Sequence, residues 1–150
     1  MLQRILVLAL IFVIGFASHD LYNYWFNPVL EVQGPYDRIQ ENQVELQADQ
    51  VVLRIPNAQF AGFTNTNSMD PLLDSDSNAL EIVPQSEEEV HVGDIVSYRY
   101  KDDTFIHRIV GKGKDADGAY YIMKGDNIDN PDPVKVRFSQ IQRVLVAILY

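Results

Sequence analysis

Ser68, His107 and a set of aspartates at 126, 129 and 132 follow one another along this chain, each in a distinctive local setting. A hydroxyl, an imidazole and a carboxylate are the groups that nucleophilic acyl transfer uses: the first attacks, the second takes its proton, the third orients the ring. Ser68 lies in Thr66-Asn67-Ser68-Met69-Asp70-Pro71, a proline-closed turn after the apolar run Phe60-Ala61-Gly62-Phe63. Alone, such a serine is a turn-capping hydroxyl, so the case rests on its partners. His107, in Ile106-His107-Arg108-Ile109-Val110, is the best base among the 3 histidines. His19 adjoins an apolar N-terminal run, and His91 sits among the acids of a loop expected to be exposed. On an alternating strand His107 shares a face with Phe105 and Ile109, a setting that equally suits a structural histidine. The aspartates recur at every third residue in Lys124-Gly125-Asp126-Asn127-Ile128-Asp129-Asn130-Pro131-Asp132-Pro133. A loop of that composition can orient a histidine, hold a cation or simply turn the chain.

Composition removes several other chemistries. There are 0 cysteines, which excludes disulfides, thiolate metal sites and a cysteine nucleophile. The net charge of -9 argues against nucleic acid as a partner, since that requires a basic face. Acids crowd the middle of the chain, from Asp70 through Glu87-Glu88-Glu89 to Asp102-Asp103, and read as a solvated, self-repelling surface. Asp74, Asp76 and Asn78 imitate the opening of a calcium loop. Ala79 stands where that loop needs glycine and Gln85 where it needs its bidentate glutamate, so an EF-hand is rejected.

The elements that must position these residues are short strands. Val44-Glu45-Leu46 and Val51 to Ile55 read as two strands joined at Ala48-Asp49, and Ala58 to Phe63 as a third leading to Ser68. Ala79 to Val83 alternates like a strand with one buried face. Gly93-Asp94 turns the chain into Ile95 to Tyr100, and Lys101-Asp102-Asp103 folds it back into Thr104 to Val110 as a hairpin. Asp115 to Gly118 makes the next turn, before Tyr120 to Met123. Val144 to Tyr150 is too short to cross a membrane as a helix, and its β-branched content suits a buried strand. A short helical turn is expected within residues 35–42. Turn signals recurring every eight to twelve residues or so predict one mainly β domain.

Residues 1–26 read as a membrane-targeting segment and residues 27–150 as the β-rich domain. Arg4 precedes the uncharged apolar run from Ile5 to Ala17, and Tyr22, Tyr24, Trp25 and Phe26 follow it. A cleavable signal peptide, with Gly15 and Ala17 as the small residues before the cut, is one reading. An uncleaved anchor, lengthened by aromatic residues that favour the membrane interface, is the other. Both leave Arg4 on the cytoplasmic side and the β domain on the extracytoplasmic face.

Four stretches, "NTNSMDP", "VGDIVSYR", "IHRIVGK" and "YYIMKGDNIDNPDP", occur in this order between Thr66 and Pro133. Together they resemble the boxes of type I signal peptidases, and they span most of that catalytic core. The histidine before Arg-Ile-Val resembles the archaeal and endoplasmic-reticulum branch, where it stands in place of the lysine base of bacterial members. The resemblance implies a signal-peptidase-like β-barrel or sandwich domain behind one N-terminal transmembrane helix. It implies a single-pass cell-membrane serine endopeptidase that cleaves signal peptides from secretory preproteins after small residues, held in shallow apolar pockets. In that reading Ser68 is the nucleophile and His107 the general base. The branch carries a second essential aspartate six residues beyond the first, a spacing that Asp126 and Asp132 keep. Asp132 is then the residue that orients His107, and Asp126 supports the site. The backbone N–H of Ser68 and the hydroxyl of Thr66, where the family often has serine, would form the oxyanion hole. No metal or cofactor is implied; secretory preproteins, the lipid membrane and accessory membrane subunits are the expected partners.

The stretch Asp74 to Glu89 departs from the compact segment that usually follows Ser-Met-x-Pro. It motivates an alternative: a degenerate, non-catalytic membrane-anchored β module that binds a partner or cation through its acidic loops. A self-cleaving regulator ranks last, because no lysine base and no DNA-binding helix pair is evident.

Overall fold

The computed structural model describes residues 12–15, 18 and 32–150. The chain divides into two units, Met1–Val32 and Gln33–Tyr150. In the first, residues 12–15 and 18 are helical, and the Ser18 hydroxyl donates to the Gly15 carbonyl at 2.9 Å. Among the described residues no helix is long and apolar enough to cross a membrane. The expected transmembrane segment falls almost wholly outside those residues.

The second unit is mainly β and antiparallel. Its strands are β1 (Val44–Leu46), β2 (Val51–Leu53), β3 (Gln59–Gly62), β4 (Asn78–Ile82), β5 (Ile95–Tyr100), β6 (Asp103–Asp115), β7 (Gly118–Lys124), β8 (Lys135–Val136) and β9 (Ile141–Leu149). β1 and β2 form a separate 2-stranded ribbon, and the others form a 7-stranded sheet in the order β3-β4-β9-β5-β6-β7-β8. The expected strands are all present; β6 runs on to Asp115, and β8 was not anticipated. The helical turn expected within residues 35–42 is a 3₁₀ turn at Glu41–Gln43 instead. Lys101 turns β5 into β6 with a φ of 57°, and Gly118 closes the next hairpin at a φ of 108°, where a side chain is rarely tolerated.

β5 explains why two of the apolar runs are continuous rather than alternating. Val96 and Tyr98 enter one core with Val90, Ile109, Met123 and Val144. Ile95 enters another, on the opposite face, with Met69, Leu73, Ala79 and Leu145. A strand covered on both faces needs apolar residues at consecutive positions, as Ile95-Val96 and Val144-Leu145 supply.

β4 alternates with one buried face, as expected, and that face carries a carboxylate. Its buried residues are Ala79 and Glu81, whereas Leu80 and Ile82 are only half-buried. The carboxylate stays inside because the Ser97 hydroxyl donates to Glu81 Oε1 at 2.6 Å, so the buried polar group is partnered. A register shift against β9 between Leu80 and Glu81 accompanies this placement.

Candidate active site

Ser68 is held by what flanks it. Asn67 takes a left-handed φ of 56°, and Met69, 3% exposed, belongs to the buried cluster that holds Ile95 and Leu145. The Met69 carbonyl then accepts from the N–H groups of Leu72 and Leu73, closing the turn around Pro71. From the other side, the Asn127 N–H donates to the Ser68 carbonyl at 3.0 Å, and Asn127 Nδ2 donates to the Asn67 carbonyl at 2.9 Å. The serine therefore sits between two segments that are sixty residues apart in sequence and hydrogen-bonded to each other.

Pairing of β6 with β7 brings the rest into place. Arg108 faces Lys124 in the register, so the loop leaving β7 starts beside the end of Ile106-His107-Arg108. Asp126 meets Arg108 there in a two-pronged contact, Nε to Oδ1 at 2.8 Å and Nη2 to Oδ2 at 2.6 Å. Arg108 also donates from Nη1 to the Gly93 carbonyl at 2.8 Å. The loop then returns, pinned by the Asp132 N–H donating to the Met123 carbonyl at 2.8 Å. This puts Asp132 Oδ2 2.7 Å from His107 Nδ1.

With Asp132 ionised, the proton of neutral His107 belongs on Nδ1, and Nε2 carries the lone pair that a general base uses. The ring is buried, at 8% exposure, between Tyr98 and Phe105. Tyr98 donates its hydroxyl to the same Asp132 Oδ2 at 2.6 Å. Burial first, and then the bond to Asp132, push the Tyr98 hydroxyl well above the usual tyrosine range, so it stays a donor.

Ser68 and His107 open onto one cavity of about 650 Å³, lined also by Thr66, Phe63, Ile106 and Ile128. Gly125 closes the space between them: a Cβ there would lie 2.5 Å from the Ser68 carbonyl oxygen and 3.2 Å from His107 Nε2. The Ser68 hydroxyl lies 3.1 Å from Thr66 Oγ1. Among the described residues no hydrogen bond joins Ser68 Oγ to His107, a contact that often tightens only when substrate arrives. Likewise among the described residues, the Ser68 N–H donates to no acceptor.

The sequence-derived residues thus divide. Ser68, Thr66, His107 and Asp132 line one cavity. The Asp126 carboxylate is taken by Arg108, and Asp129 is exposed. His91 is half-buried rather than exposed, stacked on Tyr36 with 4.2 Å between ring centroids. Of residues 74–89 only Glu81 lines the cavity. Asp74 instead supports a local turn, accepting from the Ser75 N–H at 2.7 Å.

Tyr98, Arg108 and Asn127 escaped the sequence reading, as did Glu81, Ser97 and Arg143, which give the cavity a polar wall where an apolar one was expected. A charged residue inside each of the apolar runs of β4 and β9 was the available signal for Glu81 and Arg143. No family model, no curated protein and no solved structure matches this chain.

Proposed function

We propose that this chain is a serine endopeptidase of the signal peptidase I type, with histidine as its base. The observation that carries the reading is a shared cavity: Ser68 and His107 both line it, and Asp132 holds His107 Nδ1 at 2.7 Å. His107 Nε2 takes the proton of the Ser68 hydroxyl as Oγ bonds to the scissile carbonyl carbon. Oxyanion charge is met by the Ser68 N–H and the Thr66 hydroxyl. Collapse breaks the C–N bond, and His107 returns the proton to the departing amine. Water, deprotonated by the same ring, then releases the acyl-enzyme. Asp132 stabilises the imidazolium in both halves. Asp126 is a positioning residue, through Arg108 and the loop that holds Ser68.

Two strand edges support a peptide as substrate. β3 is an outer strand of its sheet, and the Asp103–His107 half of β6 pairs with β5 alone, because β7 joins only from Arg108. Both edges border the cavity, so an extended peptide can add as a strand beside them with its carbonyl at Ser68. The apolar segment between Ile5 and Ala17 would retain the enzyme at the membrane on its extracytoplasmic face. Membrane attachment raises the local concentration of preproteins that carry apolar leaders of their own.

The Ser68 hydroxyl's bond to Thr66 rather than His107 favours a second reading, a β module that has kept the fold and lost turnover. Cleavage of a model preprotein in detergent micelles separates the two. Ser68→Ala and His107→Ala should abolish cleavage, and Asp132→Asn should slow it by roughly 10³–10⁴-fold with the fold intact. Normal turnover by either alanine variant would refute the mechanism.

A further inference from the structure

Asp94 is a buried carboxylate that the proposed chemistry leaves unused. It is 0% exposed and lies in the turn Val92-Gly93-Asp94, just before β5. Its Oδ1 accepts from Arg38 Nη1 at 2.7 Å and from the Tyr36 N–H at 3.0 Å. Its Oδ2 accepts from Arg38 Nη2 and from the His91 N–H, each at 2.7 Å. A carboxylate has about four lone-pair sites, so Asp94 is saturated. Arg38, with 11% of its side chain exposed, also donates to the Glu89 carbonyl. Gly93, at a φ of 99°, lies against the Gly34 backbone, whose carbonyl leaves no room for a Cβ there. Residues 33–38 thus cross Gly93-Asp94 as a strap, held by a bidentate ion pair and a close backbone approach.

The same turn also seats the proposed site. The Gly93 N–H donates to the Ile109 carbonyl and the Ile109 N–H to the Asp94 carbonyl, both at 2.8 Å, which ties the turn to β6 two residues beyond His107. The Gly93 carbonyl accepts from Arg108 Nη1 at 2.8 Å, while Nε and Nη2 of the same guanidinium hold Asp126. The Asp126 N–H meets Met69 Sδ at 3.4 Å, and the Asn127 N–H holds the Ser68 carbonyl. Each link from Asp94 to Ser68 is a hydrogen bond or a step along one residue.

We infer that residues 33–38 are a strap that positions Ser68 from outside the cavity, with Asp94 as the positioning residue that couples the two. The inference rests on the peptidase reading and deepens it, by giving that site a control point. Loss of the Arg38 charge leaves a buried carboxylate without its cation, which is strongly destabilising. Relief comes from carrying Gly93-Asp94 toward water, and the carbonyl that seats Arg108 moves with it. Arg108 then holds Asp126 in a different place, and the loop that fixes the Ser68 carbonyl follows. A displacement of about 1 Å at the reacting groups is enough to cost about a hundredfold in rate. The strap opens the second unit, at Gln33. Whatever binds or cuts residues 33–38 therefore acts on turnover without entering the cavity.

The test uses the full chain in detergent micelles. Arg38→Met should lower kcat on a model preprotein by about ten- to a hundredfold with KM within about twofold, the pattern of lost alignment rather than lost binding. Arg137→Met is the control. It takes a guanidinium from Asp115 at the far end of the β6–β7 hairpin, and should leave kcat within about twofold although stability falls. Arg38→Met combined with Asp126→Asn should lose little beyond the worse single variant, because both act through one chain of contacts. Exchange of the Asn127 amide hydrogen, followed by NMR, reads the strap without turnover. Arg38→Met should speed it by about tenfold more than it speeds the amides of β9, and Arg137→Met should not. Should Arg38→Met fail to fold, Arg38→Lys, which keeps the charge but not the planar fork, is read the same way and should show a smaller shift. Selective exchange at Asn127 beside a wild type that cleaves nothing would uphold the strap and reject the peptidase chemistry. Wild-type kcat in the Arg38 variant, additive losses with Asp126→Asn, an equal loss in Arg137→Met, or Asn127 exchange that only tracks β9 would overturn the inference.

Discussion

His107 and Tyr98 meet on a single oxygen: Asp132 Oδ2 accepts from the histidine Nδ1 at 2.7 Å and from the tyrosine hydroxyl at 2.6 Å. The two residues lie on the paired strands of one hairpin. β5 and β6 bring them together, because Val96 pairs with His107 and Tyr98 with Phe105, so both side chains leave the same face. The two donors fix the carboxylate, and the carboxylate fixes the ring.

Removing the tyrosine hydroxyl isolates that relationship. Tyr98→Phe should keep the fold and lower kcat/KM by about tenfold, the scale of one hydrogen bond to a charged group. The variant should also change the alkaline limb of stability. Tyr98 is raised above its ordinary value of 10.0, so its contribution is complete below that pH and is lost as pH climbs beyond it. Urea unfolding between pH 8 and 11 should show a shallower decline for Tyr98→Phe than for wild type. Parallel curves would count against a neutral, donating Tyr98.

Asp126 and Arg108 form the ion pair on which the loop beyond β7 rests. Their side chains are 19% and 8% exposed, and the contact is bidentate. Asp126→Asn leaves the guanidinium charge with no carboxylate, a loss of about 3 kcal/mol for a buried pair. Chemical denaturation measures it. A change below roughly 0.5 kcal/mol would place the residue with ordinary surface acids instead.

Gly125 lies against both the Ser68 carbonyl and the His107 ring. An alanine there puts its Cβ 2.5 Å from the Ser68 carbonyl, and backbone, unlike a flexible side-chain end, cannot swing away. Gly125→Ala should cost about 1–3 kcal/mol by overpacking. It should also reduce turnover by around a hundredfold, because Ser68 must shift relative to His107. Full activity in that variant would mean the two segments are free to separate.

How much of this was legible in the residues depends on distance along the chain. Turn chemistry at Lys101-Asp102, Asp115 to Gly118 and Gly93-Asp94 placed the strands, since φ preferences and hydrogen-bonding side chains act over a few positions. The serine turn and the Gly/Pro/Asn loop were marked by composition for the same reason. By composition alone Asp126, Asp129 and Asp132 could not be told apart, because each suits a turn equally well; only the family resemblance singled out Asp132 for His107 and Asp126 for support. Their roles differ only after β7 pairs with β6 and gives Arg108 to the first, solvent to the second and His107 to the third.

Glu81 shows the limit most clearly. Alternation along Ala79 to Val83 predicted one buried face without deciding which, and transfer free energy alone would select Leu80 and Ile82. The sheet buries Ala79 and Glu81 instead, because β5 delivers Ser97 to the carboxylate and β9 delivers Arg143. Local propensity decided where the chain turns and extends. Which polar side chains find a partner, and so which can stay inside and do chemistry, was decided by strand pairing between segments that the linear order keeps apart.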